Sequence, residues 1–136
     1  MCKCGRSRLL WRAMSEQPAH LWRRVLRDAL LAARKDRDAT RVTALRSALS
    51  AIDNAETPDD ARVDAPSSAT IAGSVVGLGA AEVARRELSD AQIRSLLHGE
   101  IDERLAAAKQ IDASHTERAA TLRAEAAVLS DLLGDV

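Results

Sequence analysis

A chain of 136 residues with no formal net charge is the size of one domain, able to bury about 68% of its unfolded surface around a single core. With no Phe, no Tyr and 2 Trp, that core must be built from Leu, Ile, Val and Ala, which favours closely packed helices over sheets. The longest uncharged apolar run, "SSATIAGSVVGLGAA", is too rich in Gly and Ser to span a membrane and "LLW" is too short for a signal-peptide core, so no membrane association and a cytoplasmic location are expected.

Residues 1–15 contain Lys3, Arg6, Arg8 and Arg12 and no acid, and read as a disordered basic leader. Met14 is an alternative first residue, which would make the leader a start-site artefact; its rival is a short basic arm that touches nucleic acid. Cys2 and Cys4 form a lone C-x-C, and a structural zinc site needs four ligands, so no metal is expected.

From there to residue 134 the pattern predicts four helices in two pairs. In the first, about Pro18 to Lys35, Trp22, Val25, Leu26, Ala29, Leu30 and Ala33 form one apolar stripe, with Pro18 in the first turn and Arg23, Arg24, Arg27 and Arg34 elsewhere. The break "KDRDAT" offers Asp38 or Thr40 as the next N-cap. The second helix then runs to about Glu56 on Val42, Leu45, Leu49 and Ile52, with Ala44, Ala48 and Ala51 allowing close backbone approach.

Between about residues 57 and 87 the pattern fails. Pro58, Pro66, Ser67, Ser68 and the glycines of "AGSVVGLGA" mark a long, mobile connector, with a short helix conceivable at "AAEVARRE". Ser89 and Gln92 then form a capping box that opens a third helix on Ile93, Leu97, Ile101, Leu105 and Ala108. After "DASHT", Leu122, Ala126, Leu129 and Leu133 mark a fourth helix that Gly134 should stop. The expected fold is all-α: two antiparallel helical hairpins forming a small four-helix, bundle-like domain.

The segments "LRSALSAIDNAE", "LSDAQIRSLLHGEIDERLAAA" and "ASHTERAATLRAEAAVL" resemble the YqeY-like family over about Leu21 to Leu133. That family is related to the tail of the B subunit of the glutamyl/aspartyl-tRNA amidotransferase, a carbon-nitrogen ligase with glutamine as amido-N-donor. The family's motif residues fall on Arg46, Asn54, Glu56, Glu100 and Arg104. The chain departs from the pattern at Asp53, where members usually carry lysine, and at Ser114 and His115, in place of a Gly-Arg pair. Members commonly continue into a smaller three-helix module, the part most readily linked to tRNA, and that module is expected to be lacking after "LLGDV".

Glutamine-dependent amidation requires an amidase nucleophile and an ATP-using site, and the sequence has neither a P-loop nor a Ser or Cys nucleophile set, so no catalytic residue and no cofactor is expected. Net charge hides an asymmetry: residues 1–50 hold 12 basic and 4 acidic groups, residues 51–136 hold 8 and 16. The halves can attract each other within the fold, or the basic half can face phosphates. Arg46 beside core Leu45 is expected at the seam of the second hairpin, tied to Glu100, with a phosphate clamp as the rival reading for Arg46 and Arg104. Glu100 and Arg104 also stand at the i, i+4 spacing of an ordinary helix pair. Asn54 and Glu56 read as a latch holding the connector.

Three functions follow. One is an accessory whose first helix, through Arg23, Arg24, Arg27 and Arg34, docks on tRNA or a tRNA-modifying complex. The second is a protein-interaction module with no RNA role. The third is a working component of the ligase itself.

Overall fold

The computed structural model describes residues 16–58 and 85–136. The expected leader and nearly all of the connector lie outside these residues, as do Cys2, Cys4 and Met14. Among the described residues there are four α-helices and no strand: α1 Pro18–Lys35, α2 Ala39–Glu56, α3 Asp90–Ile111 and α4 Thr116–Asp135. No helix is long and apolar enough to cross a membrane.

Local chemistry accounts for most of the boundaries. Pro18 occupies the first turn of α1, where its missing N–H costs no hydrogen bond. The end of α1 is a Schellman turn: Arg37 N–H donates to Arg34 O and Asp38 N–H to Ala33 O. Arg37 takes the left-handed conformation, φ 55°, which usually falls to glycine. Asp38 serves two helices, since its side chain also accepts from Arg41 N–H at 3.0 Å and caps α2. The expected box at Ser89 is complete, with Gln92 N–H donating to the Ser89 hydroxyl and Ser89 N–H to the Gln92 side chain. Residues 85–87 are not helical, so this part of the "AAEVARRE" expectation fails. Gly134 does not stop α4, which continues to Asp135.

α1 packs on α2 and α3 on α4, while α2 also contacts both α3 and α4. Trp22, Leu26, Leu45, Ile52, Ile93, Leu97 and Leu129 are fully buried, each contributing roughly 1.5–3 kcal/mol from burial. Ala33, Ala44, Ala48 and Ala126 fill the narrow places between them. Val42, Leu49 and Leu133 pack against this core half-buried. Leu105, expected in the stripe of α3, is instead exposed.

Candidate functional site

The helices carry arginines to two buried carboxylates. On α1, Arg23 faces the end of α2. Its guanidinium donates to Asp53 Oδ1 from Nε and Nη2, at 3.1 and 2.7 Å, and to both oxygens of Glu56. Glu56 is buried at the negative end of the α2 dipole, and the last turn of α2 has no basic residue of its own. Arg23 supplies the missing charge from the neighbouring helix. The hydrogen bond to Glu56, opposed by burial, raises the Arg23 pKa above its ordinary value, so this side chain stays cationic.

The second cluster joins α2, α3 and α4. Arg104 donates to Glu100 Oε2 at 2.7 Å and to Glu125 Oε2 at 3.2 Å, and the Ser47 hydroxyl donates to Glu100 at 2.7 Å. Glu125 is buried. Both clusters leave no buried side-chain polar atom unpaired among the described residues, the condition under which buried charge is tolerated.

A third junction lies where α1 meets α3. Trp22 Nε1–H donates to Asp90 Oδ1 at 2.7 Å, and the Arg94 guanidinium stands 5.2 Å from the Trp22 ring. Arg94 also donates to Asp90 and to the backbone oxygens of Leu133 and Val136, covering the end of α4. Arg94, and then Trp22, hold the Asp90 carboxyl below the usual carboxylate range.

Beside these clusters, a cleft of about 560 Å3 opens between α2 and α3, with Ala51, Asn54, Leu88, Gln92, Gly99 and Glu103 in its lining. Its hydroxyls, Thr57 and Ser95, have no imidazole in the lining to act as a base. No group of three or more His, Cys, Asp or Glu side chains among the described residues could hold a metal ion. His98 and Asp102, at i, i+4 on α3, are both exposed.

The expected tie between Arg46 and Glu100 does not form. Arg46 is exposed, and Ser47 is the α2 residue that reaches Glu100. The buried face of α2 includes Ala44 and Ala48, which turn it away from Arg46. Glu100 and Arg104 do pair, and Glu125 joins them. The latch at Glu56 takes a different form: its backbone oxygen accepts from Arg86 N–H at 2.9 Å, its carboxylate lies 3.8 Å from Arg85, and its main partner is Arg23. Asn54 is exposed and its backbone oxygen accepts from Thr57 N–H at 3.2 Å. Arg23, expected to face RNA, is buried and unavailable to it. Arg24, Arg27 and Arg34 are exposed, and Arg24 pairs with Glu16 at 2.7 Å.

Sequence reasoning missed Asp53, Glu125, Ser47 and the junction of Trp22, Asp90 and Arg94. The signal for Asp53 was present, because two carboxylates at i, i+3 ending a helix need a cation from a neighbour.

Comparison of the chain with protein-family models, with curated proteins and with solved structures returned no match.

Proposed function

We propose that this chain is a non-catalytic, YqeY-like helical domain protein, with its helices in two antiparallel hairpins, that serves in the cytoplasm as an accessory to tRNA or to a tRNA-modifying complex. The observation that carries the reading is that Arg27 and Arg34 are left exposed on α1 without a carboxylate partner, while Arg24 pairs with Glu16 and Arg23 is buried in the fold. Arginines retained outside the internal ion pairs are available to phosphate, whose oxygens the guanidinium fork matches. The resemblance of "LRSALSAIDNAE" and "GEIDERL" to the YqeY-like pattern connects that chemistry to glutamine-dependent amidation of tRNA-bound amino acids. On this reading the chain assists a carbon-nitrogen ligase and leaves the chemistry to it.

The test is binding of unfractionated tRNA by the full chain across a salt titration. Affinity falling log-linearly with salt is expected, and no binding at low salt would overturn the reading. Leu31, 54% exposed on the same helix, favours a second reading, a protein-interaction module with no RNA role. Pull-down from lysate with and without ribonuclease separates the two, since a protein partner retained after ribonuclease with no tRNA binding selects the second.

A further inference from the structure

The contact between Arg23 and Asp53 marks the outer edge of the seam between α1 and α2, since the Arg23 side chain is 9% exposed and that of Asp53 is 56% exposed. Helical rows can be followed from that contact. On α1, Arg27 and Arg34 stand four and eleven residues after Arg23, on the same row. On α2, Arg46 stands seven residues before Asp53, again on the same row. At about 1.5 Å per residue, Arg27 lies roughly 6 Å along the seam from the contact, Arg46 roughly 10 Å and Arg34 roughly 16 Å. The α1–α2 link at residues 36–38 closes the far end, so the three arginines progress in one direction along one edge. All three are exposed. No carboxylate among the described residues pairs with any of them, in contrast to Arg23, Arg24, Arg41, Arg94, Arg104 and Arg123.

The outward row of α1, next to this one, is different. Arg24, Asp28, Leu31 and Lys35 share it, and Glu16 pairs with Arg24, so its charge is mixed and partly neutralised. A surface shaped by solubility alone would intersperse the signs.

We infer that Arg27, Arg34 and Arg46 form a single seam that binds the phosphate backbone of RNA, independent of base sequence. This deepens the tRNA reading above and rests on it. Three like charges in a line match the regular charge of a phosphodiester strand, and each guanidinium can donate two hydrogen bonds to one phosphate. From the Arg23–Asp53 contact to the α1–α2 link neither row has an aromatic ring for stacking, and Asn and Gln are absent from the positions facing the seam, so bases are not read there. A protein partner would want a buried apolar anchor at the centre. At this edge Leu30 is already packed against the core, and Leu31, four residues after Arg27, is a single exposed apolar side chain, short of a buried central anchor.

The test compares charge-matched double variants of the full chain, Arg27→Gln/Arg46→Gln on the seam and Arg24→Gln/Lys35→Gln on the outward row. Both remove the same net charge from exposed positions, and thermal melts confirm that both remain folded. With unfractionated tRNA as probe, the seam pair is expected to reduce the log–log salt slope by about two, while the outward pair leaves it within about half a unit. Unchanged chain that binds, with equal loss in both variants, would overturn the seam and leave the tRNA reading standing. No binding by the unchanged chain would overturn both. Displacement of tRNA by polyglutamate at equal charge concentration would also overturn the seam, because the site would then prefer any polyanion, including an acidic protein.

Discussion

Replacing Arg23 with Met keeps most of the stem volume and removes the charge between Asp53 and Glu56. The two carboxylates respond differently. Asp53, more than half exposed, returns to water at a cost below about 1 kcal/mol. Glu56, only 5% exposed, is left with Arg85 at 3.8 Å, on a side chain that is itself 75% exposed. Breaking a buried ion pair from one side costs about 3–5 kcal/mol, and the contact with Arg85 places this case at the lower end, about 3 kcal/mol. For a domain of this size that is a fall in melting midpoint of more than about 10 °C. Urea melts followed by far-ultraviolet circular dichroism would measure the loss. Adding Glu56→Leu to Arg23→Met should restore most of it, because the unpaired charge disappears. Arg46→Met, removing an arginine from the surface, should change stability by less than about 0.5 kcal/mol. A melt of Arg23→Met within 0.5 kcal/mol, on the order of an ordinary surface substitution, would refute the reasoning, as would a double variant no more stable than the single.

Arg104→Met should cost about 3 kcal/mol for the same reason, since Glu125 is buried and Arg104 is its hydrogen-bond donor; a loss confined to a few tenths in urea melts would mean that water reaches Glu125. The Asp90 carboxyl has a folded pKa below its unfolded value of 3.8, so the stability it contributes is present above about pH 4 and disappears as pH falls through the folded value. The gap in melting midpoint between the unchanged chain and Asp90→Asn should therefore be present at pH 6 and close below about pH 4; a gap constant with pH would count against the assignment. Gly99→Ala should stabilise the fold by up to about 1 kcal/mol, because a Cβ there meets nothing within 4 Å and helix propensity improves; calorimetry showing a lower midpoint would contradict the open space beside α3.

Helix positions were legible because their signals are local. The stripe from Trp22 to Ala33, the Pro at the start of α1 and the box at Ser89 depend on residues within a few positions of one another, and the observed helices start and end there. The ion pairs were less legible because a carboxylate's partner depends on which flank of a helix meets its neighbour. For α2, counting Val42, Leu45, Leu49 and Ile52 alone places the centre of the buried face too near Arg46. Ala44 and Ala48, both fully buried, rotate it toward Ser47, and small residues contribute weakly to any hydrophobic pattern. Arg23 goes the opposite way: its place among the arginines of α1 predicts an RNA-facing side chain, yet the acids ending α2 take it into the interior. Trp22 and Asp90 are separated by 68 positions, and nothing in either neighbourhood marks the indole N–H as needing that acceptor.

α2 and α4 end without a basic residue in their last turns, and each has an arginine from another helix at that end, Arg23 on α1 and Arg94 on α3. Thr57 caps the backbone at the end of α2, but the charge that each terminus needs comes from the neighbouring helix, so the last turns are more stable when that neighbour is docked. Fraying at the end of α4 and release of Trp22 become a single event, because the Arg94 guanidinium lies over the indole while holding the terminal carbonyls. In amide hydrogen exchange, the ends of α2 and α4 would open with the whole domain instead of exchanging early, as helix ends commonly do. Partly assembled forms of the chain lose the stabilisation of two helix ends at once, which sharpens the transition between folded and unfolded.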